Sequence, residues 1–215
     1  GGSAIATHAD ISKKADVEAM VAQTLQAFGR VDILVNNAGI EATPCLVRDL
    51  PESQWDRVLG INLKGTFLCC QAVLAPMMAQ GSGRIVNIAS TAALRMTFFG
   101  SADYTVSKHG VAGLTQHLAW EVADSRITVN AICPGFIKTP MTNHEEFPLP
   151  FMVDVRDSSW LILKAIYQNR SLYLYPFPMK LVTYLNRILP NWLFDFILPI
   201  VMKKKNGTET KAKIF

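Results

Sequence analysis

Three short runs of β-branched and apolar residues, separated by stretches of helical periodicity, constrain the fold of this chain more than any other feature. Val31-Asp-Ile-Leu-Val35, Arg84-Ile-Val-Asn-Ile-Ala-Ser90 and Ile127-Thr-Val-Asn-Ala-Ile-Cys133 are too short for helices and hold few polar residues. Strands read this way when both faces of their sheet are covered. Between and around them lie helical patterns. Val17, Met20, Val21 and Leu25 recur at helical spacing and are closed by Gly29. Pro51 to Arg57 starts a helix, and an extended apolar pattern from Trp55 to Met78 is broken by Gly60, Gly65 and Pro76. Ala102 to Val122 carries Val106, Val111, Leu114, Leu118 and Val122 as its apolar stripe. A β, α, β order requires a parallel sheet, whose ligand site lies beyond the carboxyl ends of the strands. Further strands are expected at Ser3 to Ala9, leading through Asp10-Ile11-Ser12 into a helix capped by Ser12, and at Ser171 to Phe177, after a helical pattern over Asp157 to Gln168. Trp55, Leu59 and Phe67 are expected in the core.

The residues at those carboxyl ends carry the chemistry. Ser90 ends the second run. After a loop, Tyr104-Thr-Val-Ser-Lys108 opens the helix of 102–122, and the i,i+4 spacing sets a phenol and an ammonium one turn apart on one face. An unperturbed tyrosine ionises near pH 10, and a neighbouring cation favours the phenolate, so Lys108 is expected to lower the Tyr104 pKa towards a range useful for proton transfer. The same spacing also suits a surface tyrosine beside a solvated lysine. Asn62, in Ile61-Asn-Leu-Lys-Gly65, is unfavourable within a helical run unless its side chain or a local backbone irregularity is used. Asn36-Asn37-Ala38-Gly39 leaves the first run, and Gly39 suits a turn of small bulk. Asp10 reads as a turn residue or as part of the ligand side. Pro134-Gly135 leaves the third run, and Thr139 beyond it also suits a helix-start cap.

Asn36-Asn-Ala-Gly39, Asn62, Ser90, Tyr104-x-x-x-Lys108 and Pro134-Gly135 recur in an order and spacing that resembles the short-chain dehydrogenase/reductase family, from about Gly1 to Thr142. The resemblance implies a doubly wound parallel α/β sheet of Rossmann-like type. It implies an NAD- or NADP-dependent oxidoreductase that interconverts a small-molecule alcohol with a ketone or aldehyde. In that frame Tyr104 exchanges the proton with the substrate oxygen, Lys108 lowers the Tyr104 pKa and holds the ribose, Ser90 orients the substrate oxygen, and Asn62 holds a water leading to the lysine. Asp10 and Ile11 are set against the adenine, and Asn37, Ala38 and Gly39 beside the cofactor. Pro134 and Gly135 are set there too, with Ile137 and Thr139 meeting the nicotinamide carboxamide. Ser90 stands fourteen positions before Tyr104, one more than is common in the family. Thr91 stands at the shorter spacing but outside the Asn-Ile-Ala-Ser pattern. The helices of 53–80 and 102–122 are expected to form a homodimer, and residues 140–155, with proline and mixed polarity, to form a substrate lid or a passive loop.

The Thr-Gly-x-x-x-Gly-x-Gly turn that follows the first strand in this family is not in the sequence. The chain is therefore expected to be amino-terminally truncated by roughly 50 residues or more, a βαβ unit being about 30. In a sheet of order 3-2-1-4-5-6 the lost strands lie between Ser3–Ala9 and Val31–Val35, which leaves edge hydrogen bonds unpaired. On this reading the chain alone is poorly stable and binds dinucleotide weakly, and the choice between NAD and NADP is not legible in it. The alternative is a catalytically inactive family member serving as a binding or membrane-surface module.

With 215 residues, half of them apolar, the chain suffices for a sizeable core. The expected division is a partial NAD(P)-binding Rossmann-like domain at 1–179 and an apolar helical extension with a basic tail at 180–215. The net charge of +4 is mild, and much of the excess comes from Lys203-Lys-Lys205, Lys211 and Lys213, so no nucleic-acid partner is expected. Cys45, Cys69, Cys70 and Cys133 show no metal or C-x-x-C spacing, and His109 and His117 lack partners at such spacing. No metal is expected, and free thiols suit a cytoplasmic protein. Leu181 to Met202 is apolar and aromatic, but Arg187, Pro190, Asp195 and Pro199 interrupt it, which argues against a spanning helix. A helical hairpin is expected there, as a roof over the active site or as a peripheral membrane contact through 181–205.

Overall fold

The structure is a computed structural model and describes residues 2–94, 100–139, 142, 149, 151–188 and 193. The apolar runs become neighbouring strands because each hydrogen-bonds along its whole length to the next. β1 (Ile33–Asn36), β2 (Gly83–Ile88), β3 (Ile127–Pro134) and β4 (Leu172–Tyr175) form one parallel sheet in that order. In its register Leu34 stands beside Ile85, Ile85 beside Val129, and Ile132 beside Tyr173. Every crossover is helical, as parallel pairing demands. α2 (Glu52–Leu59) and α3 (Thr66–Ala79) lead from β1 to β2, α4 (Ala102–Glu121) from β2 to β3, and α5 (Val155–Tyr167) from β3 to β4. α1 (Lys14–Phe28) precedes β1, and α6 (Phe177–Ile188) follows β4.

Cover on both faces explains the near-continuous apolarity of the central strands: Ile85, Val86, Ile132 and Cys133 are all buried. On one face Val21 of α1, Met77 of α3 and Leu118 of α4 pack with Ile85 and Val129. On the other, Ala165 of α5 packs with Val86, Ile132 and Tyr175. Fully burying side chains of this size contributes about 1.5–3 kcal/mol each. All four strands end on the same side, and Asn36, Ser90 and Pro134 stand at or just beyond the carboxyl ends of β1, β2 and β3.

Several sequence expectations are corrected. Ser3 to Ala9 forms no strand but runs as irregular chain, because no neighbouring strand among the described residues offers it backbone partners. Ser12 does not cap α1: Lys13 occupies that position, and Asp10 instead accepts hydrogen bonds from the Ser12 N–H (3.1 Å) and hydroxyl (2.7 Å), the turn reading of that aspartate. Phe67 and Val106 are 43% and 41% exposed rather than core, since the faces of α3 and α4 that meet the sheet lie on their opposite sides. α2 and α3 follow one another with no loop between them. Gly60–Gly65 continues one into the other as a π-helical turn, and Asn62 within it is 1% exposed. The lid expected at 140–155 lies outside the described residues for 140, 141, 143–148 and 150, and so does the extension beyond Ile188 except Leu193. β1 is an edge of the sheet among the described residues, with Ile33 and Val35 54% and 51% exposed.

Candidate functional site

Two strand ends and one helix face converge on a small group of polar side chains. Ser90, in extended backbone just past β2, accepts a hydrogen bond from the Ala92 N–H at 3.1 Å, which fixes its hydroxyl. The Ser90 side chain reaches the Tyr104 phenol and acts on it to lower its pKa. One turn further along α4, the Lys108 ammonium lies 5.7 Å from the centre of the Tyr104 ring and donates to the Ile88 carbonyl at 2.9 Å. Lys108 is 7% exposed, so the solvated-lysine reading does not hold. The three residues singled out for proton transfer and substrate orientation therefore share one site.

Asn62 ties this site to the loop after β1. Its amide oxygen accepts from the Ile40 N–H at 2.8 Å, and its amide nitrogen donates to the Ile40 carbonyl at 2.9 Å and to the Ser107 hydroxyl at 3.2 Å. The π-helical turn turns that amide inwards, which is the backbone irregularity a buried asparagine in a helical run requires. Gly39 closes the floor: a Cβ there would stand 3.2 Å from the Asn62 amide oxygen and 3.6 Å from the Lys108 ammonium. Any larger residue would fill the space beside the lysine.

The electrostatics differ from the sequence expectation. The Tyr104 pKa is not lowered; it is pushed up to about 12, first by burial and then by the Glu41 carboxylate, with the Ser90 hydrogen bond pulling it back. Burial dominates because it penalises any charge on the phenol, and the Ser90 hydrogen bond recovers only part of that. Lys108 falls to about 8 through the same burial, with Cys133 and Glu41 opposing. Cys133, buried at the end of β3, is pushed up to about 12, against a hydrogen bond from the Ser90 backbone and the Lys108 charge. At neutral pH the site therefore holds a protonated phenol, a thiol and an ammonium that gives up its proton at mildly alkaline pH.

Sequence reasoning missed several neighbours. Asp103, fully buried, accepts hydrogen bonds from the Tyr104 N–H at 2.7 Å, from the Ser101 hydroxyl, and from the Gln54 amide at 3.0 Å. It thereby fixes the start of α4 against α2. Asn36 donates to Asn87 at 2.8 Å, and Asn87 donates to Thr115 at 2.9 Å, a buried polar chain running from β1 through β2 to α4. The polar residues at positions 103, 107, 108 and 115, which break an apolar stripe, were the only signal for these contacts.

The remaining sequence-derived positions surround the group. Ile11 packs on the π-helical turn: a Cβ on Gly65 would meet its side chain at 2.8 Å. Asn37 and Ala38 lie between β1 and Gly39. Gly135, after Pro134, donates its N–H to the Tyr175 carbonyl at 2.8 Å, and a Cβ there would meet Met179 of α6 at 3.1 Å. Ile137 bridges to Val153, while the Ile137 carbonyl and the Thr139 N–H are both hydrogen-bonded to the Thr142 hydroxyl, at 2.6 Å and 3.0 Å. Thr139 thus sits in a turn.

Comparison with known proteins places this geometry. A family model described as short chain dehydrogenase matches residues 1–147. A subunit of (2S)-[(R)-hydroxy(phenyl)methyl]succinyl-CoA dehydrogenase from Thauera aromatica is 53% identical over 133 residues, covering 62% of this chain and 52% of that protein. The chain thus spans about half the length of the curated relatives it matches. Among solved structures, a protein from Burkholderia xenovorans assigned to the short-chain dehydrogenases/reductases superposes with a TM-score of 0.75 at 35% identity, covering 84% of this chain and 76% of that one. The protein ElxO with NADP bound superposes with a TM-score of 0.59 at 36% identity, covering 61% of this chain and 52% of that one.

Proposed function

This chain belongs to the short-chain dehydrogenase family, and from that premise we propose that it carries the acid/base centre of an NAD(P)-dependent oxidoreductase that interconverts an alcohol and a ketone or aldehyde. The observation that carries the reading is that Ser90 acts on the Tyr104 phenol while the buried Lys108 ammonium lies 5.7 Å from the centre of the same ring, one helical turn away. Tyr104, protonated at neutral pH, gives its proton to the carbonyl oxygen in reduction and takes it back in oxidation. Ser90, held by the Ala92 N–H, hydrogen-bonds the same oxygen and fixes it against the phenol; removal of such a donor costs about 10²-fold in rate. Lys108 supplies positive charge while the oxygen carries negative charge. Asn62 locks the Ile40 backbone and so holds the loop of Asn37, Ala38 and Gly39 in place.

The site suits a nicotinamide dinucleotide because the Gly39 floor leaves room beside Lys108 that a side chain would fill. Asn37, Ala38, Gly39, Tyr104 and Lys108 would hold it, with Asp10 and Ile11 towards its adenine and Pro134, Gly135, Ile137 and Thr139 towards its nicotinamide. When bound, the cofactor supplies or accepts the hydride. NADP in ElxO supports this class of cofactor.

The test is Tyr104→Phe, assayed by NAD(P)H absorbance against a panel of secondary alcohols and carbonyl compounds, with cofactor binding followed by fluorescence in parallel. Turnover is expected to fall by at least about 10²-fold while cofactor affinity stays within a factor of about three. Turnover that survives the substitution sinks the proposal.

A further inference from the structure

The outward face of α6 does not belong to the candidate active site. Phe177, Leu181, Tyr184, Leu185 and Ile188 are 74%, 51%, 39%, 51% and 78% exposed. At about 100° per residue they form one stripe roughly 100° wide along the helix. The opposite face packs inward, with Met179 and Thr183 buried and Met179 against Gly135 and the end of β4. α6 thus packs one side inward and turns an apolar side to solvent. A contiguous exposed stripe of this kind marks a contact surface.

We propose that this face of α6 docks on the surface of an anionic lipid bilayer. Charge distribution selects that occupant. Residues 203–215 contain five lysines and one glutamate, against totals of 21 basic and 17 acidic residues, so 1–202 is neutral and the whole net charge of +4 sits in the tail that follows α6 in sequence. A second copy of the chain carries the same net charge of +4 and is not favoured electrostatically. An anionic leaflet attracts that charge, and juxtaposed lysines add roughly 1 kcal/mol each near its surface. The sequence linking α6 to those lysines supplies Trp192, Phe194 and Phe196, residue types that favour the headgroup boundary. Lys180 flanks the stripe with its ammonium 5.9 Å from the Tyr184 ring centre, so its cation stays at the rim while the aromatic ring turns outward. The helix lies in the plane of the interface with its axis along the surface, since twelve residues span only about 18 Å and cannot cross the roughly 30 Å hydrocarbon layer. This surface rests on nothing in the catalytic reading.

The test is flotation of the 215-residue chain with vesicles of phosphatidylcholine mixed with phosphatidylserine, compared with phosphatidylcholine alone, because aggregates sink while lipid-bound protein floats. The chain is expected to float with the anionic vesicles and to be released by high salt. Lys203, Lys204 and Lys205 all changed to Gln should lower the apparent affinity by about a hundredfold. The pair Leu181→Glu and Leu185→Glu should abolish flotation, and both positions are exposed, so circular dichroism melting should be unchanged. Trp120→Glu, equally exposed on α4, should float as the parent does. A chain that stays at the bottom of the gradient, or a Leu181/Leu185 variant that floats like the parent, overturns the proposal. So does a variant that changes only self-association measured by light scattering, since the occupant is then a second copy.

Discussion

Burial sets the titration of the site at the scale of single residues. Lys108 has a folded pKa of about 8 against an ordinary 10.5, so below pH 8 the folded chain holds a buried ammonium at full cost. Between pH 8 and 10.5 the unfolded chain binds more protons there, and stability rises with pH through that window. Comparison with Lys108→Met isolates the effect: by urea unfolding, the parent should gain on the variant by on the order of 2–3 kcal/mol between pH 7 and pH 10. A constant difference across that range would mean that the ammonium is not buried in solution. Tyr104 and Cys133 work the other way. Both have folded values of about 12, against 10.0 and 9.0, so the stability they allow is present below pH 9 and is lost as the unfolded groups ionise above it. Melting temperature should therefore decline above about pH 9 in the Lys108→Met variant, whereas in the parent the Lys108 gain offsets part of that loss up to about pH 10.5. Asn62 was legible as a residue out of place in a helical run. That its amide would pin Ile40 was not, because the partner lies 22 positions away.

At the scale of elements, the π-helical turn between α2 and α3 is the device on which the site hangs. It turns Asn62 inward, and it brings the chain so close to Ile11 that only glycine fits at 65. A Cβ there would stand 2.8 Å from the Ile11 side chain and 3.2 Å from the Ile11 carbonyl oxygen, and the backbone atom cannot yield as a side chain can. Gly65→Ala is therefore expected to cost about 1–3 kcal/mol, measured by urea unfolding. Ile11→Ala in the same chain should recover only part of it, since the carbonyl contact remains. Full recovery, or no cost at all, would show that the turn is looser than the structure has it. α4 makes a related point. Its sequence suggested an apolar stripe through Val106, yet the buried face runs through Asp103, Ser107, Lys108 and Thr115, because the polar network at the strand ends, not apolar burial, decides which side of its first two turns faces in.

At the scale of the whole molecule, the parallel sheet puts Asn36, Ser90 and Pro134 on one side, and every candidate site residue follows from that. Among the described residues it also leaves β1 as an edge with Ile33 and Val35 exposed, a surface that favours edge-to-edge association. Val35→Lys should reduce concentration-dependent light scattering severalfold without lowering the melting temperature; unchanged scattering would place the association elsewhere. The sequence determined the strands β1 to β4, the helical crossovers and the one-turn spacing of Tyr104 and Lys108, since period, punctuation and i,i+4 spacing are local and survive any arrangement of the rest. Only the tertiary structure decided the fate of Ser3 to Ala9, the protonation of Tyr104 and the parts played by Asp103, Asn87 and Glu41. A strand needs a neighbour, a pKa depends on how much water is excluded, and a hydrogen bond between distant residues exists only once the chain has brought them together.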